Sequence, residues 1–338
     1  MTTPGWALEV ARGDLTRTEL LKASVPQPAD GEAVLRVDRV GLTANNVTYA
    51  VLGEAFRYWE FFPASDGHGR VPLWGFAEVV ASRAPGVEVG QRLYGYLPTA
   101  SHLLVRPDRV DERGFRDASA HRAALPSAYN VYALTTGDAA YEPDREDLQV
   151  LFRPLFFTAF VLADQLTESD AAVLVLSSAS SKTAYGTAFL LQGRGAEVVG
   201  LTSAANVEFT RSLGCYDRVL SYDKVTGLDA VPTGYVDVAG STPLRQALHA
   251  HLGVDLVLDL VVGVTHQDGS PAGTLAGARP TVFFAPDRRA VGRRDGVDRP
   301  RGAARGLARG ARRRQRPPHR ARPAALTPGG HTGAAPVT

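Results

Sequence analysis

Two hydrophobic periodicities divide the chain. Before about residue 125, short stretches alternate apolar and polar residues and are separated by glycines. The clearest are GEAVLRVDRVGL (31–42), WGFAEVVASRA (74–84), GQRLYGYL (90–97) and SHLLVRPDRV (101–110). This spacing predicts a small, mostly antiparallel β domain over residues 1–125, barrel-like or partly open. A short helix is predicted between Ala44 and Leu52.

A helical segment is predicted next, as a connection over residues 126–170. Its stretch DLQVLFRPLFFTAFVLADQL (147–166) is apolar all round, which predicts packing on both sides. Pro154 is expected to kink this helix or to mark its start, because proline cannot donate a backbone hydrogen bond.

From residue 171, continuous apolar runs alternate with helical patterns. Six runs predict strands: AAVLVLSS, AEVVGLTS, DRVLSYD, YVDVAG, VDLVLDLVVG and RPTVFFAPD. Helices are predicted between several of them, at SKTAYGTAFLLQGRG, AANVEFTRSLG and TPLRQALHAHLG. Buried strands joined by crossover helices make a parallel sheet covered on both faces. The predicted fold class is therefore α/β, with a doubly wound Rossmann domain over residues 171–285.

The C-terminal tail, residues 286–338, differs from the rest of the chain in its net charge. Residues 286–338 hold 14 Arg and 3 Asp, a net +11, so the remaining 23 basic and 32 acidic residues give the body −9. This tail is rich in Arg, Ala, Gly and Pro, which predicts disorder because little apolar surface can be buried. Two interpretations stay open: a native tail that binds RNA or acidic surfaces, or an out-of-frame reading of a G/C-rich gene. We favour the second, because the composition changes abruptly after the last predicted strand.

The composition narrows the class of protein further. With 44% hydrophobic and 21% charged residues, the 338-residue chain is typical of a globular protein of about two domains. Its single cysteine, Cys215, excludes an internal disulfide and any multi-cysteine zinc site. No apolar run reaches membrane-spanning length and the start resembles no secretory signal, so we expect no membrane association and a cytoplasmic location. Apart from the tail, no nucleic-acid partner is expected.

The first strand of the second half runs into an unusual turn, VLVLSSASSKTAYG (173–186). A phosphate-binding turn needs backbone N–H groups at a helix start, and small serines allow a ligand to approach them. A Walker-type loop would keep only Lys182 and Thr183 here, with Asp259 imitating a magnesium-binding acid. A Rossmann turn would keep only Gly186, placed for close helix–strand packing. The third alternative is a serine-rich helix cap, formed by Ser180 or Ser181, that binds nothing.

The end of the second predicted strand favours one cofactor. An NAD site usually has an acidic residue there for the ribose hydroxyls. Thr202, Ser203 and Asn206 are neutral instead, which removes repulsion against a 2′-phosphate. Lys182 would add positive charge beside the phosphates. If a dinucleotide binds, we therefore expect NADP rather than NAD.

Several phrases together resemble the medium-chain dehydrogenase/reductase superfamily, in its zinc-free quinone oxidoreductase-like branch. The resemblance covers roughly residues 5–285 and rests on VGLTANNVTYAVLG (40–53), GFAEVVASRAPGVEVGQRLYGYL (75–97), FFTAFVLADQL (156–166) and RGAEVVGLTSAANVEFTRSLGCYDRVLSYD (194–223). The Ser-Ser-Lys-Thr turn is similar to that of an uncharacterised subgroup. The resemblance implies a GroES-like N-terminal domain, a Rossmann domain and an active site in the cleft between them.

The resemblance also implies residue roles. The pyrophosphate would lie against Ser177, Ser178, Ala179, Ser180, Ser181, Lys182 and Thr183. Thr202, Ser203 and Tyr222 would line the adenosine-phosphate side, and Thr158 and Gly263 would approach the nicotinamide. Zinc ligands are missing from the matching segments, so no metal is expected, and Asn46 and Tyr49 would polarise the substrate carbonyl instead. The aromatic run RYWEFF (57–62) is a candidate substrate wall, although packing is the favoured interpretation.

The sequence is compatible with two hypotheses about function. The first is a zinc-independent, NADPH-dependent oxidoreductase that transfers a hydride to a carbonyl, enone or quinone. The second is a non-catalytic Rossmann relative that binds a nucleotide or metabolite. The missing glycines favour the second, whereas Lys182 and the hydroxyl-rich turn favour the first. A small-molecule substrate and a homodimer are the expected partners.

Overall fold

The N-terminal part of the computed structural model consists of two antiparallel sheets. The structure describes residues 4–263 and 275–283. The strands of this part are β1 (Gly5–Ala11), β2 (Asp14–Ala23), β3 (Ala33–Gly41), β4 (His68–Gly69), β5 (Leu73–Ser82), β6 (Arg92–Leu97), β7 (His102–Val105), β8 (Pro107–Asp111), β9 (Gly114–Asp117) and β10 (Val131–Leu134). One sheet has the order β2-β1-β4 and the other β7-β3-β5-β6-β10-β9-β8. The helix α1 (Asn45–Val51) follows β3, as predicted.

The second part is a parallel sheet with helices. Its elements are α2 (Glu146–Leu166), β11 (Val173–Leu176), α3 (Lys182–Leu191), β12 (Glu197–Thr202), α4 (Val207–Ser212), β13 (Arg218–Ser221), β14 (Thr233–Asp237), α5 (Thr242–Leu252), β15 (Leu256–Val261) and β16 (Pro280–Val282). The strand order is β13-β12-β11-β14-β15-β16, with every pair parallel. This is the doubly wound order of a Rossmann domain.

Alternate residues of the central strand explain why both faces are covered. Leu174 and Leu176 of β11 belong to the buried cluster that includes α2 and α3. Val173 and Val175 belong to the cluster on the other face, which includes α5. Because side chains alternate along a strand, a continuous apolar run buries both faces at once. The predicted α/β class, with an antiparallel N-terminal part and a doubly wound parallel sheet, is confirmed.

Helix α2 joins the two parts. It packs against α3 and against β3 and β5. A Cβ placed on Gly41 would lie 2.7 Å from the Val150 carbonyl oxygen, so β3 touches the helix backbone directly. Gly186 was expected to allow close helix–strand packing, but a Cβ there would lie 3.2 Å from Ala159 Cβ, so it serves helix–helix packing instead. The predicted apolar surface of α2 is thereby used on both sides.

Two predictions about local structure need correction, and one of two alternatives for Pro154 is excluded. The α-helix of the connecting segment begins only at Glu146. Before it lie two short 3-10 helices, Ser127–Asn130 and Pro143–Arg145, and between them the strand Val131–Leu134, whose Tyr132 is fully buried between β6 and β9. Of the two alternatives predicted for Pro154, the structure excludes a helix start, because Pro154 lies inside α2. The stretch 101–110 forms two strands, β7 and β8, which pair with different neighbours.

Other expectations stay open. The predicted domain boundaries and the GroES-like character of the first part remain predictions. The predicted disorder or frameshift of residues 286–338 lies outside the described residues. Within residues 4–263 and 275–283, no helix is long and apolar enough to cross a membrane.

Candidate functional site

The carboxyl ends of β11, β12, β13 and β14 meet at one edge of the parallel sheet. Ligands of doubly wound sheets bind at this edge, beside the point where the strand order reverses. Here that point lies between β11 and β14. The turn between β11 and α3, residues 177–181, therefore occupies the position where a nucleotide would be recognised.

Ser177 opens the turn but is directed into the sheet. Its side chain is 1% exposed. Its hydroxyl donates to Asp237 Oδ1 at 3.1 Å and accepts the Val238 N–H at 3.1 Å, and its own N–H donates to the Val236 carbonyl. Both hydrogen-bond donors of Ser177 are therefore already used within the sheet, so neither is free for the pyrophosphate contact that the resemblance implied.

Ala179 is likewise committed to the interior. It is fully buried, its N–H donates to the Leu201 carbonyl at 3.0 Å, and its carbonyl accepts the Tyr216 hydroxyl at 2.9 Å. These bonds hold the turn against β12. The backbone of Ala179 is therefore occupied by protein contacts at the place where the resemblance implied a phosphate contact.

Ser178 takes the backbone conformation that usually requires glycine. Its φ is 49°, in the left-handed region that side chains disfavour. Its N–H donates to the Tyr222 hydroxyl at 3.2 Å. The structure thus brings Tyr222, the first residue after β13, onto the turn, and its role on the adenosine-phosphate side remains a prediction.

The start of α3 presents free donors. Ser181 is the N-cap, as one of the two predicted candidates, and its hydroxyl accepts the Ala184 N–H at 3.3 Å. The N–H groups of Lys182 and Thr183 lie in the first turn, where no intrahelical acceptor exists. The Lys182 amine has no hydrogen bond or ion pair with the described residues. A partly exposed cation therefore stands at the positive end of a helix dipole.

The end of β12 closes the site on one side. Thr202 is 1% exposed and pairs with Ser221 of β13. Ser203 follows it and is partly exposed. Asn206 Nδ2 donates to Ser180 Oγ at 3.3 Å, which links this loop to the turn. Of these three neutral residues, Asn206 therefore contacts the turn directly, while Thr202 is buried at the end of β12.

Gly263 lies where β15 approaches the N-terminal part. A Cβ on it would lie 2.3 Å from the Val238 carbonyl oxygen and 3.8 Å from Thr48 Oγ1 of α1. Only glycine fits between these elements. Thr158 of α2 donates its hydroxyl to the Pro154 carbonyl at 3.1 Å, and no described contact joins it to Gly263.

The two predicted catalytic side chains are held in the N-terminal part. Asn46 Oδ1 accepts the Thr43 N–H at 2.7 Å, and its Nδ2 donates to the Pro72 carbonyl at 3.0 Å. The Tyr49 hydroxyl accepts Trp74 Nε1–H at 3.3 Å, and burial raises the pKa of Tyr49. Among the described residues, neither side chain hydrogen-bonds to the turn 177–181.

The aromatic run belongs to the core. Tyr58, Trp59, Phe61 and Phe62 are each no more than 4% exposed. Tyr58 and both phenylalanines pack with Tyr49 and other rings in one buried cluster. Packing, the favoured interpretation of RYWEFF, is what the structure shows.

The sequence reading missed a buried group of charges beneath the site. Asp237 pairs with Arg245 of α5, and Arg245 pairs with Asp259 of β15, which also contacts His249. Asp259 is 1% exposed and is already paired with Arg245 and His249. The alternative in which Asp259 acts as the magnesium-binding acid of a Walker-type site is therefore wrong. The only available sequence signal was an Arg and a His spaced four residues apart on a predicted helix. In the described part of the chain, no group of three His, Cys, Asp or Glu side chains is placed to hold a metal.

Two antiparallel sheets followed by a doubly wound parallel sheet define a two-part α/β architecture. A family model described as "Protein of unknown function (DUF2855)" matches residues 40–301. The chain belongs to this family. A comparison with curated proteins finds no match.

Solved structures with the same fold include reductases. CurA in complex with NADPH from Vibrio vulnificus is 13% identical, with a TM-score of 0.59 over 90% of this chain and 88% of that chain. A candidate NADPH:quinone reductase from Bacillus thuringiensis is 13% identical, with a TM-score of 0.59 over 91% and 88%. The CurK enoyl reductase is 16% identical, with a TM-score of 0.52 over 92% and 87%. At these identities the likeness establishes the fold alone, which is the two-part fold predicted from the sequence.

Proposed function

We propose that this protein is a zinc-independent, NADPH-dependent oxidoreductase that reduces a carbonyl, an enone or a quinone. The observation that carries the proposal is the start of α3, where unpaired N–H groups and the Lys182 amine stand at the switch point of the sheet. The NADPH named for the CurA structure and the reductases of the same fold support it. The proposal keeps the small-molecule substrate, the homodimer and the cytoplasmic location expected from the sequence.

The residues at this edge fit a phosphate-bearing cofactor. Helix N-terminal N–H groups and a nearby ammonium are the donors that bind phosphate in many proteins. Residues 202–206 contain no carboxylate that would repel a 2′-phosphate. Ser180, Ser181 and Tyr222 add hydroxyls around the same turn. These features favour NADPH over NADH.

NADPH supplies the hydride when it is bound. The chain itself would hold the cofactor phosphates at Lys182 and Thr183. Gly263 remains our candidate beside the nicotinamide, on the side away from Val238 and Thr48, against which its Cα is packed. For the substrate carbonyl, Asn46 and Tyr49 remain our candidates as hydrogen-bond donors. Each keeps a donor for such a bond, because the Asn46 amide uses only one of its two N–H groups on Pro72 and the Tyr49 hydroxyl only accepts from Trp74.

Several polar groups near the candidate site are already hydrogen-bonded within the protein, which favours a second candidate function. With Ser177 and Ala179 bonded within the sheet and Asn46 bonded to backbone, the chain would bind a nucleotide or metabolite without catalysing hydride transfer. NADPH binding without substrate turnover is the result that separates this candidate from the first.

Fluorescence titration with NADPH tests the proposal. Wild type should bind NADPH more tightly than NADH. Lys182→Ala should weaken NADPH binding by about tenfold, because one charge contact near the surface is worth roughly 1–2 kcal/mol. Lys182→Arg keeps the charge and Ser180→Gly keeps the backbone access, so both should bind nearly as wild type does. No binding of either nucleotide at millimolar concentration would end the reductase proposal.

A further inference from the structure

A chain of four buried charged side chains runs beneath the candidate site. Asp237 ends β14, Asp259 lies in β15, and Arg245 and His249 lie one turn apart on α5. Each is no more than 6% exposed. We call these four residues the buried quartet.

Its contacts are continuous from one end to the other. Arg245 Nη2 lies 2.8 Å from Asp237 Oδ2, and Arg245 Nε donates to Asp259 Oδ2 at 3.0 Å. His249 Nε2 lies 2.9 Å from the same Asp259 oxygen. The Arg245 side chain also lies over the Tyr235 ring, 5.9 Å from its centre. Removing one member of such a buried group leaves another charge uncompensated.

The hydrogen bonds of His249 indicate that the four side chains of the quartet carry no net charge. His249 Nδ1 donates to the Ala276 carbonyl, which can only accept. Its Nε2 meets a carboxylate, so a second proton must lie between His249 and Asp259 for that contact to be a hydrogen bond. With this proton, the negative charges of Asp237 and Asp259 are balanced by the positive charge of Arg245 and by the proton shared between His249 and Asp259. Burial raises the pKa of Asp259, which is consistent with a proton held at this pair.

One end of the quartet reaches the two loops of the site. Asp237 Oδ1 accepts the Ser177 hydroxyl at 3.1 Å, the Ala239 N–H at 3.2 Å and the Gly240 N–H at 2.8 Å. Ser177 in turn accepts the Val238 N–H. The turn after β11 and the loop after β14 therefore share a single anchoring carboxylate, where the superfamily resemblance implied glycine in the turn.

We propose that the buried quartet is a positioning unit that sets the conformation of the turn 177–183 and the loop 238–241 through Asp237. The inference rests on the proposed function only in identifying these two loops as cofactor-contacting. His249 has no described contact with either loop, and the side-chain contacts that join it to them run through Asp259 and Arg245. A merely local structural role for His249 would leave the loops unchanged.

Amide hydrogen exchange on the full chain tests this coupling without any ligand. His249→Gln should speed exchange in peptides covering 177–183 and 238–241 by about tenfold, equivalent to about 1.4 kcal/mol of lost local stability. The matched control is His251→Gln on the same helix, whose ring contacts the Leu228 carbonyl outside the quartet. The control should leave both loops unchanged.

A second variant keeps the test decisive if His249→Gln fails to fold. Ser177→Ala removes the hydroxyl between Asp237 and Val238 and should speed exchange at 238–241 by a similar factor. Faster exchange confined to α5 and β15 in His249→Gln, or unchanged exchange at 238–241 in a folded Ser177→Ala, would overturn the inference. NADPH titration of the same variants reports separately on function. If wild type binds no NADPH, the proposed function fails, while the exchange data still decide whether the quartet positions the loops.

Discussion

Glu146 offers the sharpest test of how the two parts of the molecule are held together. It is the first residue of α2 and its side chain is 6% exposed. Its carboxylate accepts Arg92 Nε–H at 2.6 Å and Arg92 Nη2–H at 2.7 Å, and it also accepts the Tyr141 hydroxyl at 2.7 Å. Arg92 lies on β6, so this bidentate pair fastens the helix to the N-terminal sheet. We therefore predict that Glu146→Gln destabilises the protein.

The magnitude follows from the geometry. Two unit charges about 4 Å apart attract by roughly 4 kcal/mol at an effective dielectric of 20, and breaking a buried pair costs about 3–5 kcal/mol. Two features reduce this cost here. Arg92 is 24% exposed, and it keeps a second partner because Asp38 Oδ2 lies 2.7 Å from its Nη2. We expect Glu146→Gln to lower the free energy of unfolding by about 2–3 kcal/mol near pH 7.

The effect should depend on pH with a definite sign. The hydrogen bonds from Arg92 lower the pKa of Glu146 below its usual value of 4.5, against an opposing effect of burial. A carboxyl whose folded pKa is depressed stabilises the protein above its unfolded pKa and loses that contribution as pH falls through the folded value. The difference between wild type and Glu146→Gln should therefore be full above about pH 4.5 and should shrink below it.

Urea unfolding at pH 7 and at pH 4, followed by circular dichroism, measures both effects. Asp147→Asn is the matched control, because Asp147 is 84% exposed and pairs with the half-exposed Arg39. Its loss should cost less than about 1 kcal/mol. A Glu146→Gln protein within about 0.5 kcal/mol of wild type at pH 7, or a difference that does not shrink on acidification, would refute the reasoning.

Two further substitutions probe the turn and its support. Ser178→Gly should stabilise the fold by about 0.5–1 kcal/mol, because relief of a left-handed side chain exceeds the added chain entropy of glycine, and a lower urea midpoint would contradict this. Gly200→Ala should destabilise by about 1–3 kcal/mol, since the new Cβ would lie 2.9 Å from Ala179 Cβ and 3.0 Å from the Tyr216 ring. An unchanged melting temperature for Gly200→Ala would show that the turn can move away from β12.

The parallel sheet was predictable because its signal is local. Each of its strands is a short apolar run, and burial on both faces leaves no polar alternation to obscure it. The edge strand β2 gave no such signal, since most of its residues are exposed and its pairing with β1 is made by the backbone. The strand β10 was missed for a different reason. Its four residues lie in a stretch predicted to be helical, and only pairing with β6 and β9 selects the extended form.

The site was predictable in position but less so in detail. Which strand ends converge follows from the sheet order, and in the structure Tyr222 and Asn206 both contact the turn. Their roles toward a cofactor remain predictions. Which donors remain free depends on partners far along the chain. Ser177 and Asp237 are 60 residues apart, and a pattern of small polar residues cannot show that one hydroxyl is already bonded.

The contacts of the turn 177–181 explain how it can do without the usual glycines. Glycine in such a turn supplies a left-handed backbone and close approach to a ligand. Here Ser178 adopts the left-handed conformation itself, and the bonds of Ser177 and Ala179 to neighbouring strands hold the turn in shape. A turn stabilised by its neighbours does not need glycine at every position to expose the first N–H groups of α3. Without glycine, the shape of the turn depends on Asp237 and on the strands beside it. The absence of glycine therefore does not by itself remove the capacity to bind a nucleotide.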